Sequence, residues 1–168
     1  MKNVRIEKLT LNFGAGKDDA KLKKGIALLE LVSGAKIVTT FTTKRIPGWG
    51  VRPGLALGAK TVLRGKKVVE LLKRLFESKE NRLDESCFDD HGNVSFGISE
   101  YINIPGMKYD PKVGMLGFQA SITLERAGFR VKRRRIKSKK IPFRHKVNKE
   151  DAIAFIKSKF GVRIGDEE

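Results

Sequence analysis

Apolar and polar residues alternate with a period of two near the start of the chain. Leu9, Leu11 and Phe13 take turns with Lys8, Thr10 and Asn12, which predicts a half-buried strand over Val4–Gly14. Val4 and Ile6 are apolar in the opposite phase, so a bulge is expected at Glu7–Lys8. The period then lengthens. Leu22, Ile26, Leu29 and Val32 recur three or four apart, predicting a helix over Asp18–Ser33 that Gly34 stops. Lys36–Thr42 is β-branched and aromatic enough for a strand, and Thr43–Gly54 is a loop punctuated by Pro47, Gly48, Gly50, Pro53 and Gly54. Leu55–Arg64 alternates again, with Leu57, Ala59, Thr61 and Leu63 on one face and Lys60, Val62 and Arg64 on the other. A helix over Lys66–Ser78 is apolar at Val68, Leu71, Leu72 and Leu75. Two further alternating runs, Asn93–Glu100 and Phe118–Glu125, precede a last helix over Lys149–Phe160, with Asn148 as its N-cap and Glu150 and Asp151 in its first turn.

Strands in short succession, interrupted by helices, predict an α+β fold: a mostly antiparallel sheet with its helices packed on one face. Such a sheet leaves its second face open. That face carries Lys8, Thr10, Asn12, Lys60 and Arg64, a polar and cationic surface of the kind an RNA-binding sheet uses. The chain is read as a single domain over 1–168, with a long loop at 43–54 and a basic segment plus C-terminal helix at 126–160.

Charge sharpens this picture. The 168 residues hold 36 Lys and Arg against 19 Asp and Glu, a net charge of +17, and 40% are hydrophobic, so a folded body with a polyanionic partner is expected. Eleven of the cations fall between Arg126 and Lys146 with no acid among them. Of these, Lys132, Arg133, Arg134, Arg135, Lys137, Lys139, Lys140 and Arg144, together with His145, are candidate phosphate contacts, since like charges this dense repel unless something neutralises them. Acids gather instead over Glu77–Asp90 and at Asp166-Glu167-Glu168. No apolar run approaches the roughly 18 residues of a membrane span and no signal segment follows Met1, so no membrane partner is expected. The single cysteine, Cys87, excludes an internal disulfide and fits a reducing cytoplasm.

Catalytic chemistry finds little support. Gly14-Ala15-Gly16-Lys17 follows a strand, but a phosphate-binding loop would need glycine where Leu11 stands and Ser or Thr where Asp18 stands. Cys87, His91 and His145 are too few for a structural zinc, and the acids around Cys87 do not suit a nucleophilic thiolate. Neither an enzyme nor a metal or cofactor is expected. The loop Thr43–Gly54 is more informative: it sets the only tryptophan, Trp49, between glycines and among Lys44, Arg45 and Arg52. An aromatic among cations suits stacking on unpaired bases, the alternative being a ring folded back over the sheet.

Several segments, taken in order, resemble a known family. Leu11-Asn12-Phe13-Gly14-Ala15-Gly16, Ala59–Gly65 ending in Leu63-Arg64-Gly65, Gly92–Glu100 and Lys108-Tyr109-Asp110-Pro111 are similar to signatures of the L-five family of large-subunit ribosomal proteins. The ending Arg144-His145-Lys146-Val147-Asn148-Lys149-Glu150-Asp151-Ala152 resembles its archaeal and eukaryotic cytosolic branch. The resemblance implies a structural protein of the cytoplasmic ribosome whose sheet holds 5S ribosomal RNA in the central protuberance. It implies Asn12 as an RNA contact flanked by Lys60 and Arg64, and a loop Thr43–Gly54 that reaches large-subunit ribosomal RNA and the peptidyl-site transfer RNA. It also implies a bridge to the small-subunit head protein. Two positions depart from the family pattern: Ala35 stands where an amide is common, and Val62 where threonine is common, with Thr61 beside it. The alternative is a free-standing RNA-binding or RNA-chaperone module that uses the same sheet outside the ribosome.

Overall fold

The structure is a computed structural model that describes residues 1–165; the acidic end Asp166-Glu167-Glu168 lies outside the described residues. The elements run β1 (Val4–Gly14), α1 (Asp19–Ser33), β2 (Val38–Phe41), β3 (Ala56–Leu63), α2 (Lys66–Glu77), β4 (Arg82–Leu83), β5 (Asn93–Ile98), β6 (Phe118–Arg126), α3 (Lys149–Phe160) and β7 (Arg163–Ile164). Five strands form one sheet in the order β2-β3-β1-β6-β5, each antiparallel to its neighbour. The long, alternating β1 takes the centre. Its pairing with β6 shifts register between Ile6 and Lys8, where the change of phase predicts a bulge.

The apolar phase of every long strand points one way. Leu9, Leu11, Phe13, Ala59, Val94, Phe96, Ala120, Ile122 and Leu124 are all buried, together with the polar Thr61. The helices cover this face. The buried stripe of α1 comprises Leu22, Gly25, Leu28, Leu29 and Val32, with Ile26 only partly buried. Asp18 caps α1 through its carboxylate, and Gly34 ends it in the left-handed conformation. Phe76 of α2 stacks against Phe96 of β5 and edge-on against Phe160 of α3, which joins both later helices to one core.

Some boundaries differ from expectation. β2 is shorter than Lys36–Thr42. The Lys36 carbonyl accepts its hydrogen bond from the Thr61 hydroxyl (3.2 Å), and a bulge between Thr40 and Phe41 breaks the pairing. The parallel pair β4 and β7 has no counterpart in the sequence reading, because two-residue strands carry no periodicity.

A turn anchored by Asp89 delivers the chain into β5. Its carboxylate accepts from the backbone of His91 (2.9 Å) and Asn93 (2.7 Å) and from the Asn93 side chain (2.7 Å). Partial burial pushes this carboxyl up. The bonds from Asn93 and His91, with the charge of His91, outweigh that and hold it below the ordinary aspartate range. A carboxyl depressed on folding stabilises above its unfolded pKa, and the benefit fades as pH falls through the folded value. Asp89→Asn is therefore expected to lower the urea midpoint at pH 6, and the gap to wild type should close on acidification through pH 4 towards pH 2. A constant gap would show that ionisation of Asp89 plays no part.

Candidate nucleic-acid interface

The second face of the sheet takes the polar phase of each strand, and the register sets these residues in rows across it. One row runs Val38, Lys60, Asn12, Gln119, Gly97 from edge to edge. The next runs Val62, Thr10, Ser121, Ser95, and the third brings Lys8 beside Thr123 and Asn93. Within the rows the Asn12 amide donates to Gln119 Oε1 (3.3 Å) and the Ser95 hydroxyl to that of Ser121 (3.0 Å), so the side chains orient one another. Amides and hydroxyls both donate and accept, which suits reading of ribose hydroxyls and base edges. Arg64 is exposed just past the end of β3. Val62, 44% exposed beside Thr10, and Val38 are the two apolar side chains in these rows. The neighbouring Thr61 faces the core, so its hydroxyl is spent on holding the start of β2.

The basic segment shapes one end of this face. Phe129 and Val147 are buried and Ile141 is partly buried, so 129–147 folds over the end carrying Lys8, Thr123 and Asn93. The His145 ring donates from Nε2 to the Ala127 carbonyl (2.8 Å) and lies against Phe129, which turns it inward as a tether. The Lys132 ammonium sits 5.0 Å from the Phe129 ring centre. Arg134, Arg135, Lys137, Lys139, Lys140 and Arg144 are exposed. Arg134 donates from Nε to the Lys137 carbonyl (2.9 Å), and Lys137 itself adopts a positive φ of 52°, closing a tight turn.

The sequence reading left this segment uncompensated, and the structure corrects that for Arg126 and Arg133. Acids of other elements supply the counter-charges: Arg133 pairs with Glu125 and, at 3.1 Å, with Glu7, while Arg126 pairs with Asp151 of α3 at 2.6 Å. Those partners lie outside the run of cations, where a local charge count misses them.

At the other end of β1, roughly 30 Å away at about 3.3 Å per residue, lies the tryptophan loop. Ile46 and Val51 exchange two backbone hydrogen bonds (3.0 and 3.1 Å) and pinch Pro47–Gly50 into a tip, with Val51 buried as its plug. Gly50 has φ +61° and lies against the Lys17 side chain, so the turn after β1 buttresses the loop. Trp49 is 69% exposed, which settles against a ring folded over the sheet. Lys44, Arg45 and Arg52 are exposed around it.

The fold thus gathers Lys8, Thr10, Asn12 and Lys60 on one face, with Arg64 at its margin, and sets the arginine run and the tryptophan loop at opposite ends. Gln119, Ser121, Ser95 and Thr123 share that face and were absent from the expected set. Their alternation marks them as outward, but only the register brings them beside Asn12 and Thr10. Arg5 is also added, because the bulge puts it in phase with Lys8. A groove of about 680 Å³ opens beside Asn12 and Gln119, with Lys21 and Lys79 among its lining residues. Among the described residues, no group of three or more His, Cys, Asp or Glu is placed to hold a metal.

Residues 56–155 match the model of the C-terminal part of the L-five family of ribosomal proteins. The chain is 47% identical over 165 residues to the large ribosomal subunit protein uL5 of Nanoarchaeum equitans, covering 98% of this chain and 97% of that protein. It is 46% identical over 165 residues to the uL5 of Sulfurisphaera tokodaii, with 98% and 93% covered. With the uL5 of Methanococcoides burtonii the identity is 37% over 164 residues, with 98% and 97% covered.

Proposed function

The chain belongs to the L-five family of ribosomal proteins, and on that premise we propose that it binds 5S ribosomal RNA and attaches it to the central protuberance of the large subunit. It is a structural, non-enzymatic component of the large ribosomal subunit, works in translation in the cytoplasm and binds ribosomal RNA. The observation that carries the 5S reading is the row Lys60, Asn12, Gln119 across the helix-free face, with its mutually oriented amides. A gently twisted polar sheet fits a wide, shallow minor groove, where ribose hydroxyls lie open to donors and acceptors. Cations at both ends of β1 add grip without sequence preference.

The tryptophan loop, exposed and ringed by cations, is the part proposed to reach large-subunit ribosomal RNA and the elbow of the peptidyl-site transfer RNA. Contact with the small-subunit head protein completes the proposal. Residues 1–168 act in it as one binding unit, the loop at 43–54 and the segment at 126–160 being its arms.

The test is a filter-binding comparison of 5S ribosomal RNA with a structured control RNA of equal length. Wild type is expected to prefer the 5S RNA clearly at physiological salt. The double variant Asn12→Ala, Gln119→Ala should lose roughly tenfold of that preference with little change in salt dependence, as the loss of contacts that read rather than grip. Equal affinity of wild type for both RNAs would refute the 5S assignment.

A further inference from the structure

Glu7 and Glu125 are acids on a surface read as RNA-binding, and their side chains are only 10% and 9% exposed. Charge alone gives no reason for them there: each costs desolvation, and each repels a phosphate backbone. Their partners supply the reason. Glu125 takes both Nε (2.9 Å) and a terminal nitrogen (2.7 Å) of Arg5 on Oε1, and Arg133 on Oε2. Arg133 turns its other terminal nitrogen to Glu7. The bulge between Ile6 and Lys8 makes this possible by setting Glu7 on the same side as Arg5 and Glu125.

Arg5, Glu125 and Arg133 of this clamp line a cleft of about 400 Å³ together with Arg130, Arg134 and Arg135. Among the ion pairs of the described residues, none gives those three a carboxylate. Arg5 and Arg133 are 63% and 42% exposed, so each keeps part of its fork open to the cleft.

We propose that this cleft binds a phosphodiester of the RNA backbone, and that Glu7 and Glu125 are positioning residues that fix Arg5 and Arg133 for it. The proposal rests on the RNA reading above and adds to it a place and a device. In the free protein the two carboxylates relieve repulsion among five guanidinium groups. They also spend the rotamer freedom of two long side chains before RNA arrives. A guanidinium held by carboxylates presents its remaining N–H groups in a set direction, which suits a tetrahedral phosphate. The site keeps a surplus of positive charge, so a phosphate adds to the clamp without having to displace it.

The experiment uses the full chain as wild type, Glu7→Gln, Glu7→Gln with Glu125→Gln, Arg133→Gln, and the triple variant. Amide exchange and limited trypsin cleavage across residues 129–135 are measured without and with 5S RNA, and 5S RNA affinity at about 0.15 M salt is measured separately. The double glutamine variant is expected to exchange and cleave faster and to bind RNA about tenfold more weakly, although it has lost two negative charges. The triple variant should lose less affinity than the losses of Arg133→Gln and the double glutamine variant combined, because the acids act partly through that residue. Tighter binding by the double variant, or unchanged exchange, overturns the positioning role. Glu7→Gln keeps the pair between Arg5 and Glu125 and gives a smaller loss in the same direction should the double variant melt. Inorganic phosphate alone at millimolar concentration should not slow cleavage as RNA does; equal protection would make the cleft a free-anion site and overturn the RNA assignment. Failure of wild type to prefer 5S RNA removes the ribosomal ligand, while the exchange arm still judges the clamp.

Discussion

Reversing Arg134 and Arg135 to glutamate is expected to weaken RNA binding by roughly ten- to a hundredfold at about 0.15 M salt and to flatten its salt dependence. Both guanidinium groups are exposed beside the arginine cleft, and no ion pair of the described residues spends them on a carboxylate. Each phosphate neutralised releases condensed counterions, so losing two contacts should shrink the slope of log K against log salt by about 1.4 to 1.8. The preference for 5S over control RNA should survive, since backbone contacts carry no sequence information. Arg133 stands apart from these two. Its charge already serves Glu7 and Glu125, so Arg133→Glu would set three carboxylates together and lower the melting temperature, which the Arg134 and Arg135 reversals should barely move. Titrations at several salt concentrations with a parallel thermal melt separate the two effects. An unchanged slope for the double reversal would show that the cleft meets no phosphate.

That contrast marks how far the sequence could be read. Strand and helix signals are local, so the alternation of Leu9, Leu11 and Phe13 and the three-to-four spacing of Leu22, Ile26, Leu29 and Val32 place β1 and α1 almost to the residue. The phase break at Glu7–Lys8 even marks the bulge. What the pattern cannot hold is register. Asn12 and Gln119 stand 107 residues apart, and nothing local announces that their amides meet. The same applies to Arg133, which reads as one more cation in a run until Glu125 and Glu7 reach it from two strands. His145 likewise reads as a basic-segment ligand, and only the fold shows its ring bonded to Ala127. The grip of the molecule is therefore legible as composition, while its readout and positioning are properties of the assembled sheet.

The packing of Phe13 on α1 ties folding to that readout. A methyl group on Gly25 of α1 would fall inside the ring of Phe13, well short of any real carbon–carbon contact, so the ring lies directly on the helix backbone. Two effects oppose each other in Gly25→Ala. Alanine favours a helix by about 1 kcal/mol over glycine. Overpacking a filled core costs about 1–3 kcal/mol, and Phe13 is buried at 4% exposure. The clash should win, and Gly25→Val, which adds more bulk and loses propensity, should cost about 3 kcal/mol or more. If the ring is the cause, the sign depends on it. In a Phe13→Val background the obstacle is gone, and Gly25→Ala should become neutral or stabilising as propensity alone remains. Urea unfolding of the four-member cycle gives the coupling, and additive effects would rule out the ring contact as the source. A displaced Phe13 also drags Asn12 beside it and the turn Gly14–Lys17 that buttresses Gly50 in the tryptophan loop. Folded Gly25→Ala protein should therefore lose preference for 5S RNA before it loses affinity for RNA in general. The arginine cleft, at the far end of β1, lies beyond the reach of that displacement.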